Sequence, residues 1–480
     1  MAVTAREIAS VTGGIVVAGD PDARCTSFAI DSRVLAPGAC FVALVAARDG
    51  HDFVHDALSR GATIALVGRE LTGVTPGAGQ AVVQVPDPLR ALQELASVAR
   101  SSMDRGPVVG ITGSVGKTGT KDLTAAALAP RFAVHASPGS FNNEAGLPLT
   151  LLHAPDGADA VVLEMGARFP GNIAELCVIA RPTVGVITRI GMAHAGLLGG
   201  PEGVARTKGE LLEALDAQGL AVLDADDPFT PGLVARTSAR VVTVSANPGA
   251  DLRAHAIELD DELRPTFLLE TPWGSGSVRL AVRGAHQVTN AALAAAVGLA
   301  HGVPFPELAE SLAAVEPAPW RMEVSRAPSG ALVIDDSYNA NPSSTAAAVG
   351  ALAQVNTTGR RIAVLGEMLE LGDHSEEEHA ALGRLVAERG IDVLVVVGDE
   401  AAPTAAAARV SGGVEVHEAA DAAAAAAVVV PMVRDRDVVL VKGSRAVGLE
   451  AVARELIATP PIDGQIDGQI DGQIDGQVVS

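Results

Sequence analysis

The chain has 480 residues, 48% of them hydrophobic, and a formal net charge of −22. That length fits roughly three domains at ~150 residues each, with apolar content ample for several cores. So acidic a balance argues against general nucleic-acid or anionic-membrane binding, though not against a local basic pocket.

In chain order, residues 1–104 read as a mixed α/β domain. Thr4 is placed to cap a helix through Ser10, with Glu7 as its capping-box partner. Short β-like runs follow at Gly14–Val17, Ser27–Asp31, Cys40–Leu44, Thr63–Val67 and Val82–Val85, then a helix over Pro88–Ser101. Arg6 and Glu7 interrupt the first stretch, so no signal-peptide core is expected there. Residues 105–318 read as a second domain. Strands at Pro107–Ile111, Ala160–Met165, Thr183–Thr188, Leu220–Leu223 and Val241–Val244 alternate with helices, which predicts a mainly parallel sheet covered on both faces. Asp251–Val282 reads as an antiparallel excursion and His286–Ala300 as an Ala-rich helix. Residues 319–460 predict a doubly wound sheet with strands at Ala331–Ile334, Arg361–Leu365, Val393–Val397 and Val438–Val441. The run Ala422–Val433 is too short to cross a bilayer. Ile462 to Gln477 repeat Ile-Asp-Gly-Gln four times, which offers no face to bury and predicts a disordered tail over 461–480. Cys25, Cys40 and Cys177 make neither a disulfide framework nor a zinc knuckle and suit a reducing cytoplasm.

The densest chemical signal is Gly113-Ser114-Val115-Gly116-Lys117-Thr118, between an apolar strand and a helix. Strand, glycine loop and helix in that order make a phosphate cradle: backbone N–H groups turn onto phosphate oxygens and the helix N-terminus adds its dipole. Lys117 would reach the β/γ-phosphates and the Thr118 hydroxyl would ligate Mg²⁺. Glu164 ends an apolar strand and is placed to hold that Mg²⁺. His194 follows the strand Thr183–Thr188 and would emerge on the same sheet edge. Lys208 reads as a helix-surface lysine, with no catalytic role in its spacing. Asn290 offers an adenine edge a matching donor and acceptor, although a solvated Asn is the plainer expectation. Asp31-Ser32-Arg33 and Asp49-Gly50-His51-Asp52-Phe53 sit on loops beside strands, where ligand contacts and ordinary turn chemistry fit equally well. Asp335-Asp336-Ser337-Tyr338-Asn339-Ala340-Asn341-Pro342 follows a strand at once and reads as a ligand rim.

Taken together, these stretches resemble the Mur ligase family. The phosphate loop, Asn142-Asn143 with Gly146-Leu147-Pro148, Glu164-Met165-Gly166-Ala167, His194 and Lys208-Gly209-Glu210 match the family's order of motifs. Asp336–Pro342, Leu365-Gly366-Glu367-Met368 and Lys442-Gly443-Ser444-Arg445 favour the member that acts on a dipeptide. The resemblance covers about residues 1–458 and implies an N-terminal nucleotide-sugar domain, a central ATP-binding domain and a C-terminal ligase domain. It implies ATP-dependent amide formation between UDP-N-acetylmuramoyl-tripeptide and D-alanyl-D-alanine through an acyl phosphate, in cytoplasmic cell-wall precursor synthesis. By position, Lys117, Lys208, His194 and Asn143 become the catalytic group. Thr118, Glu164, His194 and a carbamylated Lys208 become the Mg²⁺ site. Gly113 to Thr118, Asn290, Arg321 and Asp336 become the ATP contacts, and Ser32, Arg33, Asn339 and Asn341 the substrate contacts. No nucleic acid or membrane insertion is expected, and a monomer is. Two rivals stand beside this reading. One is a family member acting on a single amino acid or on folate, against which the C-terminal motifs argue. The other is an ATPase switch without ligase chemistry, which would hydrolyse ATP with no acceptor present.

Overall fold

A computed structural model describes residues 2–103, 106–192 and 195–458. The Ile-Asp-Gly-Gln tail and His194 lie outside the described residues. The chain divides into two compact units, one of residues 1–260 with 264–316, the other of 261–263 with the chain from Pro317 onward.

The first unit holds two large sheets. The N-terminal one has five strands in the order Ile15–Gly19, Ala81–Gln84, Ile64–Val67, Ala39–Val42, Ser27–Ala29, all parallel except the first pair. The Thr4–Glu7 capping box forms as its residue types require: Glu7 N–H donates to Thr4 Oγ1 and Thr4 N–H to Glu7 Oε2. The second sheet has nine strands. From one edge they run Val134–Ala136, Ala160–Glu164, Val108–Thr112, Val184–Ile187, Leu220–Asp224, Arg240–Ser245 and Leu252–Leu259, all parallel. Pro265–Thr271 and Gly274–Arg279 then close it as the expected antiparallel excursion. Its middle strands are buried along their whole length, which is why they read as continuous apolar runs rather than alternating ones. With so few aromatics, helix packing relies on small side chains: Ala291 to Ala296 are all buried on the helix His286–Ala300. The two sheets share one core, where Leu92, Leu95 and Ala96 of the helix Pro88–Arg100 join a cluster with Leu147, Leu151, Leu176 and Ile179.

The second unit is a six-stranded sheet in the order Glu323–Arg326, Leu332–Asp335, Val438–Lys442, Arg361–Gly366, Val393–Val397, Glu415–Ala419. All pairs are parallel except the first. The two outer strands carry mostly partly exposed, polar residues, so no apolar run announces them. No helix among the described residues is long and apolar enough to cross a membrane.

Candidate active site

The strand Val108–Thr112 runs into the glycine loop at the carboxyl edge of the nine-stranded sheet, and the helix Lys117–Leu128 begins directly after it. Two glycines are required there. Gly113 adopts φ +155°, and a Cβ on it would stand 1.8 Å from Thr188 Oγ1. Gly116 adopts φ +81°, and a Cβ would stand 2.7 Å from Asn290 Oδ1. Ser114 is tied to the neighbouring strand end: its N–H donates to Arg189 O at 2.7 Å and its hydroxyl accepts from Gly191 N–H at 2.9 Å. Lys117 Nζ donates to Gly113 O at 2.8 Å, folding its ammonium over the loop.

Thr118 and Glu164 meet as their positions suggest, with Thr118 Oγ1 donating to Glu164 Oε2 at 2.8 Å. The other carboxylate oxygen accepts from Asn142 Nδ2 at 2.8 Å. Glu164 is 1% exposed, and both of these partners are uncharged. A buried carboxylate normally has a cation or a metal for company. Among the described residues no group of three or more His, Cys, Asp and Glu side chains could hold a metal. A site of Thr118, Glu164 and a modified Lys208 would instead rest on a hydroxyl and on lysine-derived oxygens. The donor chemistry therefore fits a hard divalent cation.

Lys208 is not a surface residue. The helix Gly200–Glu213 buries it to 1% exposure. No hydrogen bond or ion pair satisfies its ammonium among the described residues. Burial first, and the positive charge of Lys117 second, hold its pKa well below the usual lysine range. The three residues Lys208-Gly209-Glu210 have separate roles. A Cβ on Gly209 would meet Arg236 Nη1 at 1.9 Å. Its absence lets that guanidinium lie on the helix and donate to Ala205 O and Arg206 O, at 3.1 and 2.7 Å. The Glu210 carboxylate accepts from Gly171 N–H at 2.8 Å and Ala174 N–H at 3.0 Å, capping the next helix, Asn172–Ala180.

Of the two adjacent asparagines, Asn142 reaches Glu164. Asn143 accepts instead from the backbone of Ala145 and Gly146 at the start of the helix Gly146–Leu152. The sequence pairs the two in one motif and gives the catalytic role to Asn143; only the loop's path along Ala160–Glu164 separates them. Asn290 is buried rather than solvated, at 7% exposure, and donates to Gln287 Oε1.

In the N-terminal sheet, Arg33 is exposed and pairs with Asp31 at 2.6 Å. The Arg33 guanidinium and backbone N–H hold the Asp31 carboxyl down to about 2. Ser32 beside them is buried. His51 is buried too, its Nδ1 2.6 Å from Asp49 Oδ1 and its Nε2 accepting from Gly68 N–H at 2.8 Å. In the second unit, Lys442 donates to Asp336 Oδ2 at 2.7 Å and to Asn339 O at 2.8 Å. Arg321 stacks on the Tyr338 ring, 4.0 Å from its centroid. The Asn341 side chain accepts from Ser344 N–H and caps the helix Pro342–Gln354.

Comparison with known proteins follows this division of the chain. Residues 111–298 match the family model "Mur ligase middle domain" and residues 320–445 match "Mur ligase, glutamate ligase domain". A Mycobacterium bovis protein named UDP-N-acetylmuramoyl-tripeptide--D-alanyl-D-alanine ligase is 42% identical, over 95% of this chain and 98% of its own. The chain belongs to the Mur ligase family. Two solved structures of the family superpose across most of the chain. A crystal structure of MurF from Acinetobacter baumannii gives a TM-score of 0.85 at 32% identity, covering 96% of this chain and 99% of that one. The MurF ligase of Thermotoga maritima in complex with ADP gives 0.76 at 31% identity, covering 90% of this chain and 97% of that one. Mur ligases are ATP-dependent, and the glycine loop here lies within the matched middle domain.

Proposed function

We infer that this chain is an ATP-dependent amide ligase that adds D-alanyl-D-alanine to UDP-N-acetylmuramoyl-tripeptide. One observation carries the reading: 42% identity to a ligase of that name extends over 95% of the chain, and so includes the N- and C-terminal sheets as well as the ATP-binding middle. The tripeptide carboxylate attacks the γ-phosphorus, the bond to the bridging oxygen breaks, and ADP leaves. The dipeptide amine then attacks the acyl phosphate, loses a proton and expels inorganic phosphate. A carboxylate and a polyphosphate repel until their charge is neutralised. Lys117 and the backbone N–H groups of 113–118 supply the protein's share of that neutralisation.

Thr118, Glu164 and a carbamylated Lys208 would hold Mg²⁺, with His194 as a further ligand. When bound, the ion would draw charge from the phosphoryl oxygens. Two features support carbamylation of Lys208: burial without a counter-ion, and a depressed pKa. An amine kept neutral attacks carbon dioxide, forms a C–N bond and releases a proton. The product is an anion where a neutral amine stood. In the same proposal Asn143 shapes the loop at the reacting phosphate, and Asn290, Arg321 and Asp336 contact the nucleotide. Ser32 and Arg33 meet the nucleotide-sugar diphosphate, where a guanidinium makes two charge-assisted bonds. Asn339 and Asn341 serve the dipeptide. Functional domains at 1–104, 105–318 and 319–460, a dispensable tail at 461–480, a cytoplasmic setting and a monomeric state complete the reading.

The test is product identification by mass spectrometry. With ATP, Mg²⁺, UDP-N-acetylmuramoyl-tripeptide and D-alanyl-D-alanine, the nucleotide-sugar product should gain both alanines in one step. Equal use of single D- or L-amino acids would place the chain elsewhere in the family. ATP consumption at full rate without either acceptor would replace the ligase with an ATPase.

A further inference from the structure

Lys121 is a buried cation that the mechanism above does not use. It lies one turn beyond Thr118 on the helix Lys117–Leu128, so both project from the same face. Its side chain is 4% exposed. Its Nζ donates to Ser137 O at 2.7 Å and to Gly139 O at 3.0 Å, with Asp122 Oδ1 3.0 Å away. Those carbonyls belong to the loop that leads into Asn142. The same loop is fastened to the strand Ala160–Glu164 at both ends. Ser137 N–H donates to Val162 O, Ser137 Oγ accepts from Glu164 N–H at 3.2 Å, and Gly166 N–H donates to Asn142 O at 2.7 Å. Asn142 Nδ2 in turn holds Glu164 Oε1.

We propose that Lys121 is a positioning residue for the cation site. Its ammonium staples loop 137–142 to the phosphate-loop helix, so that Asn142 and Ser137 fix Glu164 in the orientation that meets Thr118. Charge-assisted bonds from a buried ammonium to two carbonyls are stronger than neutral ones. Partners of this kind typically alter metal affinity 10–100-fold when removed. The proposal rests on the reading of Glu164 and Thr118 as cation ligands, not on which muropeptide is used.

The test is therefore made with Mn²⁺ and ADP on the full chain, without any muropeptide. Mn²⁺ binding is read by electron paramagnetic resonance and loop order by amide hydrogen exchange. In Lys121→Met, Mn²⁺ affinity in the presence of ADP should fall about tenfold. Exchange should accelerate in 137–142 and at Gly166, while the helix Pro88–Arg100 keeps its wild-type rate. Ser137→Ala removes one link of the same chain of contacts and should weaken Mn²⁺ in the same direction, by a smaller factor. Unchanged Mn²⁺ affinity in Lys121→Met, or exchange that quickens equally throughout the unit, would overturn the proposal. Were Lys121→Met not to fold, unchanged affinity in Ser137→Ala would do the same. Failure of the ligase assay alongside the expected Mn²⁺ result would count against the substrate assignment and leave this inference standing.

Discussion

Lys208 in the first unit and Lys442 in the second are both buried, and their surroundings treat the charge in opposite ways. Lys442, 2% exposed at its side chain, has Asp336 at 2.7 Å and a backbone carbonyl besides. Lys208, 1% exposed, has no such partner among the described residues, and the charge it feels is the like charge of Lys117. Glu164 mirrors it as a buried anion held by neutral donors. A charge already paired is part of a scaffold. In the proposed reading, the buried carboxylate without a counter-ion would be completed by a metal and the buried amine without one by carbon dioxide.

The contrast makes predictions of opposite sign. Lys208→Met should cost the most activity, about 100-fold in turnover, the scale of losing a metal-site group. Yet in CO₂-depleted buffer it should raise stability by about 1 kcal/mol, because a buried lysine whose charged form is disfavoured is replaced by an apolar chain of similar volume. The pH dependence follows from the lowered pKa. Between the folded value and the ordinary 10.5 the unfolded chain binds more protons, so wild-type stability should rise with pH through that window. Urea unfolding at several pH values should show that slope in the wild type and a flatter one in Lys208→Met. Lys442→Met should act the other way, destabilising its unit by about 3 kcal/mol because Asp336 keeps its charge and loses its partner. If both variants shift stability in the same direction, the comparison fails.

Smaller effects sharpen the picture. Gly113→Ala puts a Cβ against Thr188 Oγ1 and should weaken ADP about tenfold, or ~1.4 kcal/mol by calorimetry. Arg33→Ala should raise the KM for the nucleotide sugar a few-fold, with KM for ATP unchanged. Its exposed pair with Asp31 is of the modest kind, so the fold should not notice. The Asp31 carboxyl, now at about 2, should return toward its ordinary value in an NMR titration.

Much of this was legible in the residues. An apolar strand, a glycine loop and Lys-Thr opening a helix specify the cradle locally, and Glu164 at a strand tip follows from the same pattern. The helix His286–Ala300 begins and ends where its Ala-rich run does. What was hidden depends on neighbours distant in sequence. Lys208 reads as exposed because one lysine among Arg206 and Glu210 says nothing about what covers it. Gly209 makes sense only once Arg236 arrives from 27 residues further on. Asn142 and Asn143 are indistinguishable until the loop is laid against Glu164. The strands Glu323–Arg326 and Glu415–Ala419 lie at sheet edges, where polar residues are tolerated and the apolar signal fades.

The most direct test of the central claim is to look for the anion that Lys208 should become. Enzyme equilibrated with ¹³C-labelled bicarbonate and Mg²⁺ should show one carbamate carbon resonance. That signal should be missing in Lys208→Ala, and the variant's lost turnover should return in part with added short-chain carboxylic acids, which replace the missing oxygens. A wild-type spectrum without the resonance, or a Lys208→Ala enzyme with full turnover, would contradict the account.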